Sequence, residues 1–157
     1  MRKRIISSEP QGVRALDGSW LDLESLAQVE LTSEDASHPV ESALKPGPGL
    51  GWQASEPGRQ TVRLLFDHPL HLHRIHLVFH EEKEQRTQEF LLRWSNDNGV
   101  TYRDIVRQQY NFSPPDCVRE VEDYTVDLPG ATALEISITP DISGGTARAS
   151  MAELRVA

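Results

Sequence analysis

Apolar and polar residues alternate through most of the chain after residue 26, with the period of two that is typical of β-strands. In residues 61–66 every second side chain is apolar, and residues 74–80 repeat this pattern. Similar segments occupy residues 89–95, 100–106, 122–128, 133–139 and 149–156. Residues 96–99, Asn-Asp-Asn-Gly, predict a tight hairpin turn. About eight short strands without a long amphipathic helix predict an all-β sandwich or jelly roll.

The same pattern divides the chain into two parts. Residues 27–157 carry the strand signals and are predicted to form one β-sandwich domain. Residues 1–26 lack them, apart from a short apolar-spaced stretch at residues 20–26, and are predicted to be an N-terminal arm that packs on the sandwich. A chain of 157 residues is of ordinary length for one domain with one core.

Composition and charge restrict the partners and the compartment. The formal net charge of −8 disfavours nucleic acid, whose affinity for proteins comes mainly from Lys and Arg side chains that neutralise phosphates. Neither a signal peptide nor a membrane span is predicted, because no apolar run is long enough for either. Cys117 is the single cysteine, so no disulfide can form within the chain, and a cytoplasmic location is predicted.

Four segments in chain order resemble a known family. Residues 90–102 are similar to a Tyr-x-Val-x-x-Ser-x-Asp-Gly-x-x-Trp hairpin, and residues 149–156 to a closing Ile-x-Glu-Leu-x-Val strand. Residues 31–37 with Trp52 look like a serine-rich opening that leads to a Trp, and residues 62–66 look like an apolar strand that ends in Asp-Leu-Gly. From about residue 29 the chain therefore resembles the coagulation-factor type C, or discoidin, domain within the galactose-binding-like jelly rolls.

This resemblance implies a non-catalytic module that binds sugars, lipid head groups or proteins with loops at one end of the barrel. It also implies a structural calcium, held by an Asp-Gly and a Thr of the opening loop and by a late Glu. Here Lys45 stands where the Asp is expected and Leu50 where the Thr is expected, while Glu153 is present. We therefore predict no metal site, with the Lys45 ammonium pairing with Glu153 in place of calcium. The alternative is that Lys45 points into water.

Residues 107–115 are predicted to form a long loop that carries a ligand site. Tyr110 and Phe112 offer flat apolar faces, while Arg107 and Asn111 offer directional hydrogen bonds. Sugars present an apolar ring face edged by hydroxyl groups, so this mixture suits them. It also suits a protein interface, where Tyr and Arg are enriched. In the alternative interpretation, Tyr110 and Phe112 plug the end of the barrel.

Three further residues complete the predicted site. Trp52 ends the opening loop, although a place in the core is an alternative for it. His80 ends a predicted strand, and Arg86 lies in the region from which the family often recruits an Arg to grip hydroxyl groups. The predicted ligand-binding residues are thus Trp52, His80, Arg86, Arg107, Tyr110, Asn111 and Phe112.

Neither metal chemistry nor catalysis is predicted. His71 and His73 could share an ion as an i, i+2 pair, but the sequence places no third ligand near them, and zinc normally needs three or four. His76 and His80 are about 13 Å apart along a strand, at about 3.3 Å per residue. The chain contains no Gly-x-Ser-x-Gly, no His-Glu-x-x-His and no phosphate-binding glycine loop. We therefore predict no enzymatic activity and no cofactor.

Together these features predict a binding module for carbohydrate or a similar polar ligand, held by loops at one end of the barrel. The alternative is a protein–protein interaction module, a scaffold within an intracellular complex. The opening residues also look like the N-terminal domain of a DNA-repair scaffold that uses this fold to hold other proteins. A predicted cytoplasmic location favours the scaffold, since most sugar-binding members of the family are secreted parts of larger enzymes.

Overall fold

The computed structural model describes residues 20–45 and 49–157, which form two short helices and eight strands. The helices are α1 (Leu23–Leu26) and α2 (Glu41–Leu44). The strands are β1 (Ala27–Leu31), β2 (Trp52–Pro57), β3 (Gln60–His80), β4 (Arg86–Ser95), β5 (Arg103–Phe112), β6 (Arg119–Thr139), β7 (Arg148–Met151) and β8 (Glu153–Val156). Within the described ranges no helix is long and apolar enough to cross a membrane. The predicted all-β fold is confirmed.

Two strands of 21 residues each, β3 and β6, run through both layers of the sandwich. β3 pairs with β1 through Phe66 and with β8 from Ile75. It pairs with the last part of β6 up to Leu65 and with the first part of β6 from Arg74 onward. Register shifts between these two residues mark the bend, where Pro69 provides no amide donor. Residues 67–69, which contain turn-forming residue types, are therefore an irregular bend within one continuous strand.

The core lies between the two layers, on the apolar faces that the alternation predicted. Leu64 on the first part of β3 and Leu77 on its second part are both fully buried. Phe79 of β3 stacks on Phe90 of β4 across the core, with ring centroids 5.2 Å apart. Such an aromatic pair contributes about 1 kcal/mol beyond the area that it buries. These contacts fix how the two layers face each other.

The larger sheet has the strand order β1-β3-β6-β4-β5, while β2 and β7 form a separate antiparallel pair. A tight turn connects β4 to β5, and Asn98 and Gly99 adopt positive φ angles of 61° and 83° there. Asn and Gly tolerate this conformation best, so the predicted hairpin is confirmed.

Residues 107–112 belong to a strand and not to a loop, which corrects the prediction for this segment. They lie in β5, which pairs with β4 so that Phe112 faces Arg86. Residues 106, 108, 110 and 112 point inward while the residues between them are more exposed. The period of two was present in the sequence, but the polar Gln108 among the inward positions obscured it. The ligand loop predicted at residues 107–115 is therefore reduced to the connection after Phe112.

Residues 20–26 of the predicted N-terminal arm lie against the sandwich. The Leu21 N–H donates a hydrogen bond to the Val156 carbonyl over 2.8 Å, and Leu23 is 1% exposed in the core. Residues 1–19 of the arm lie outside the described residues. The domain boundary at residue 27 therefore stays a prediction.

The predicted ion pair between Lys45 and Glu153 does not form. Lys45 is exposed, whereas Oε1 of Glu153 lies 3.8 Å from Nη2 of Arg155. The guanidinium of Arg155 is buried, and its Nη1 donates to the carbonyl of Ala43 in α2 over 2.7 Å. A cation therefore does join the closing strand to the opening segment, but it comes from β8. The planar guanidinium of Arg155 lies near both a carbonyl and a carboxylate, whereas the Lys45 ammonium is exposed and contacts neither.

Glu135 in β6 is a buried carboxylate held between two arginines. Nε of Arg63 donates to its Oε2 over 2.6 Å, and Nη2 of Arg93 donates to its Oε1 over 2.6 Å. Glu135→Ala leaves two partly exposed cations facing each other without the carboxylate. We expect it to lower the free energy of unfolding by about 2 kcal/mol, measured by urea denaturation. In Glu30→Gln, the exposed partner of Arg63 at 3.7 Å is neutralised, and a change below about 0.5 kcal/mol is expected. Equal effects of the two substitutions would contradict this account.

Candidate functional site

Three connecting loops meet at the end of the sandwich where β3 stops. They follow β3, β5 and β6 and comprise residues 81–85, 113–118 and 140–147. The Glu81 N–H donates to the Val118 carbonyl over 2.9 Å, and the Ile142 N–H donates to the Thr87 carbonyl over 2.9 Å. These backbone hydrogen bonds hold the three loops side by side. Loops on a rigid scaffold are the usual place for a binding site.

The loop at residues 81–85 is organised by the side chain of Glu81. Its Oε2 accepts the backbone N–H groups of Lys83 and Glu84, at 2.9 and 3.2 Å. Its Oε1 accepts Nε of Arg86 over 2.6 Å. Burial alone raises the pKa of Glu81, but these donors together lower that pKa below its usual value. Glu81 is therefore committed to holding the loop and is not a free group of the site.

A close backbone approach joins the opening segment to the closing strands. Gly51 has a φ of +76°, and a Cβ there would lie 2.7 Å from the Met151 carbonyl oxygen. Only glycine fits such a position without a shift of the backbone. The next residue, Trp52, is thereby drawn under the end face, where it is 1% exposed and its Nε1 donates to the Ser33 carbonyl over 3.1 Å.

An open cleft of about 290 Å³, here called the end-face cleft, lies over Trp52. Its polar lining residues are His38, Gln53, His80, Glu81, Glu82, Lys83, Arg148 and Ser150. Leu50 also lines it and is 73% exposed, so it offers an apolar contact at the rim. The strand pair β2–β7 supplies one wall, and the end of β3 with its loop supplies the other.

A second depression of about 370 Å³ continues from this cleft. The two share Gln53, Glu81, Lys83 and Arg148, and the second adds Glu84 and residues 146–147. Together they form a continuous groove, the end-face groove, across the loop end of the sandwich. Each depression is near the lower end of the range of small-molecule sites, which begins at about 300 Å³.

Several polar side chains of the end-face groove make no hydrogen bond or close ion pair within the described part of the protein. The side chains of Gln53, Arg148 and Ser150 make no hydrogen bond there, and the Lys83 ammonium makes no ion pair. His80 uses only Nδ1, which lies 3.3 Å from Oε2 of Glu82, so Nε2 is available. The groove therefore presents an amide, a hydroxyl, an imidazole and two cations to solvent.

A neighbouring cleft of about 470 Å³, here called the Arg86 cleft, has mostly committed side chains. Nη1 of Arg86 donates to the Pro140 carbonyl over 2.7 Å, and its guanidinium covers the Phe112 ring at 4.8 Å. Thr87 donates to Oδ1 of Asn111 over 2.5 Å. Because these groups are used internally, the Arg86 cleft has less to offer a ligand than the end-face groove.

The structure brings together only two of the seven predicted site residues in the end-face cleft. Trp52 and His80 line it, and Trp52 does so as its buried floor, in agreement with the core alternative. Arg86 is 4% exposed and its guanidinium ties the loops together, and its role in ligand binding stays a prediction. A guanidinium that is excluded from water needs hydrogen-bond partners on the protein, and Glu81 and the Pro140 carbonyl provide them.

The four predicted residues of β5 form no single exposed platform. Phe112 is fully buried, and Tyr110 packs against it edge-on with ring centroids 5.0 Å apart. The Tyr110 hydroxyl donates to the Arg119 carbonyl over 3.0 Å. This arrangement agrees with the alternative in which the two aromatic residues plug the barrel. Arg107 is exposed and pairs with Glu89 at 2.7 Å, while Asn111 lies in the Arg86 cleft.

Sequence reasoning missed the polar residues that β2 and β7 contribute. Gln53 pairs with Ser150 across these strands, and Pro57 pairs with Arg148, although about 90 residues separate the two strands in sequence. A short-range pattern cannot reveal such a pairing. The available signal was the position of Ser150 and Arg148 just before the closing strand, on the chain end that must return to the sandwich.

Comparisons with solved structures identify the fold. A Clostridium perfringens family 32 carbohydrate-binding module in complex with GalNAc-β-1,3-galactose matches with a TM-score of 0.67 and 18% identity, over 88% of this chain and 99% of that one. The family 32 module of C. perfringens NanJ in complex with galactose matches with a TM-score of 0.64 and 16% identity, over 87% and 97%. The family 32 module of AlyQ in complex with 4,5-unsaturated mannuronic acid matches with a TM-score of 0.62 and 13% identity, over 84% and 95%.

These neighbours have the galactose-binding-like fold, to which the discoidin fold is related, so the predicted fold is confirmed. No protein-family model matches the sequence, and no curated protein matches it. The narrower resemblance to the discoidin family stays a prediction.

Proposed function

We propose that this protein is a non-catalytic module that binds carbohydrate in the end-face groove. The observation that carries the proposal is the set of uncommitted side chains at Gln53, Arg148 and Ser150, beside the available Nε2 of His80. Sugar hydroxyl groups both donate and accept hydrogen bonds, and an amide, a guanidinium and a hydroxyl supply the complementary donors and acceptors. Leu50 at the rim provides the apolar contact for a sugar ring face.

The balance of charge in the groove favours a neutral sugar over an anionic one. Lys83 and Arg148 carry positive charge, while Glu82 and Glu84 carry negative charge. Glu81, the third carboxylate, is neutralised by Arg86. A groove without net charge can bind a neutral sugar through hydrogen bonds alone. A sugar that carries a phosphate or sulfate group needs an excess of cations in its binding site.

The fold supports the same proposal by analogy, because each of the three neighbours described above contains a bound sugar or sugar acid. These comparisons give the scaffold alternative no support. The cytoplasmic location remains a prediction from the sequence.

Substitution of Arg148 tests the proposal. We expect Arg148→Ala to weaken binding of galactose-containing oligosaccharides at least tenfold, which corresponds to about 1.4 kcal/mol, because a charge-assisted hydrogen bond to the ligand is lost. Isothermal titration calorimetry against a panel of galactose, GalNAc-β-1,3-galactose and a uronic-acid disaccharide measures the effect. Arg148 is exposed at the start of β7, so the substitution leaves the core intact.

Arg103→Ala is the matched control, since Arg103 is an exposed arginine at the start of β5 that does not line the groove. It should bind the panel as the unchanged protein does. Tighter binding of the uronic acid than of the neutral sugars would refute the neutral-ligand part of the proposal. If no member of the panel binds at millimolar concentration, or if both variants lose binding equally, the groove is not a sugar site.

A further inference from the structure

Three side chains that are suitable as metal ligands converge at the bend of β3. His71 and His73 project from the same side of the strand, and their rings stack with centroids 4.2 Å apart. Asp127 comes from the adjacent β6, next to Leu128, which pairs with Leu72. Nε2 of His71 lies 2.5 Å from Oδ1 of Asp127. One ligand atom from each of the three residues lies within 4.8 Å of the others.

The chemistry of this group suits a divalent transition metal. Neutral imidazole nitrogens and a carboxylate oxygen are the ligands of many zinc sites, at bond lengths of about 2.0–2.2 Å. A carboxylate already sits on one imidazole, so the site contains a negative charge to offset that of the ion. Two imidazoles without a carboxylate would lack this negative charge and a third ligand, so the sequence pair of His71 and His73 was not sufficient to predict a metal site.

The group can close around an ion at low cost. All three side chains are exposed, so small χ rotations shorten the distances between ligand atoms without disturbing the core. Both His residues are on one rigid strand and Asp127 is on its hydrogen-bonded neighbour, which fixes their backbones relative to each other. An exposed site with three protein ligands leaves at least one coordination position for water or another ligand.

We propose that His71, His73 and Asp127 form a binding site for a divalent transition metal such as Zn²⁺. The site lies at the bend of β3, and seven residues of extended strand, about 23 Å, separate His73 from His80 at the end-face groove. It is therefore independent of carbohydrate binding. Asp127 supplies the third ligand, which comes from a residue more than fifty positions away in the sequence.

Zinc titration of the full chain tests the proposal. Isothermal titration calorimetry with ZnCl₂ should show saturable binding of one ion per chain. His73→Ala and Asp127→Asn should each weaken this binding at least tenfold, because each removes one of three ligands. Asp127→Asn keeps an oxygen beside His71 while it removes the negative charge, so it also tests the role of the carboxylate. Circular dichroism and thermal melting of each variant without zinc establish that it folds, as expected for exposed positions.

His80→Ala is the matched control, because His80 is also an exposed strand histidine beside a carboxylate, Glu82 at 3.3 Å, but belongs to no group of three suitable ligand atoms within the described residues. It should bind Zn²⁺ as the unchanged protein does. The proposal is overturned if no zinc binds at millimolar concentration, if both His73→Ala and Asp127→Asn bind normally, or if His80→Ala weakens binding as much as they do. Sugar binding by His73→Ala should be unchanged, so failure of either proposal is visible without the other.

Discussion

Arg86→Met should lower the free energy of unfolding by about 3 kcal/mol, because the substitution removes one partner of a buried ion pair. The guanidinium spans two of the three end-face loops, since it bonds Glu81 after β3 and the Pro140 carbonyl after β6. Methionine fills much of the same volume over Phe112 but provides none of the donors. Denaturation in guanidinium chloride measures the loss. Hydrogen exchange in residues 81–85 should accelerate, because that loop loses the group that anchors its organising carboxylate.

Arg107→Met is the comparison for this prediction. Arg107 makes an ion pair of similar length with Glu89, at 2.7 Å, but its side chain is 55% exposed. Exposed pairs contribute about 0–1 kcal/mol, so little change is expected. If the two arginine variants lose similar stability, the burial of Arg86 does not make its ion pair more important for stability than an exposed one.

Glu120 in β6 should make the protein less stable as the pH rises. It is 1% exposed, Nε2 of Gln88 donates to its Oε1 over 3.1 Å, and its Oε2 has no partner within the described residues. Burial, followed by the neighbouring carboxyl group of Glu122, raises the pKa of Glu120 to about 9, although Gln88 and Arg86 act in the opposite direction. At neutral pH the folded protein therefore holds a proton that the unfolded chain releases.

The sign of the effect follows from this difference. A carboxyl group whose folded-state pKa is raised contributes stability that is fully present below its ordinary pKa, 4.5, and is lost by about pH 9. Within that window the free energy of unfolding should fall by up to about 1.4 kcal/mol per pH unit. Glu120→Gln should remove this part of the slope, because an amide has no proton to lose. Urea denaturation of both proteins between pH 5 and pH 9 measures the difference.

Titratable groups that do not interact with Glu120 contribute equally to both proteins, so the difference between the two slopes reports Glu120 and the groups coupled to it. The titratable groups that influence Glu120 are Glu122 on the same strand, Arg86 on β4 and the tyrosines at 110 and 124. Burial raises the pKa of both tyrosines above the usual value, so they stay protonated through the window. Glu56→Gln, at an exposed position, should leave the slope unchanged. Parallel curves for Glu120→Gln and the unchanged protein would contradict the prediction.

The strands were predictable because their signal is local. Side chains such as Leu64 and Leu77 follow the pleat, so a period of two identifies the buried face without knowledge of the partner strand. The continuity of β3 through its bend was not predictable in the same way. Residues 67–69 contain the same turn-forming types as a true turn, and only pairing with β6 on both sides shows that the strand continues.

The candidate site was predictable only in part, for a related reason. His80 ends a strand with a clear pattern, so its place at the loop end follows from the sequence. Arg148 and Gln53 meet through a pairing between strands near opposite ends of the sandwich sequence, which no local pattern encodes. For Arg86, the sequence indicated the neighbourhood, but whether a cation faces solvent or a buried carbonyl depends on the return of β6 to the same end.

The passage of β3 and β6 through both layers has a mechanical consequence for the whole molecule. β3 and β6 each contribute a strand to both layers, so the two layers cannot separate as independent units. Separating the two layers would have to break hydrogen bonds of β3 and β6 in both layers at the same time. The groove at one end and the histidine cluster at the bend are thus carried on the same continuous strand, and the length of β3 from the bend to His80 sets the distance between them.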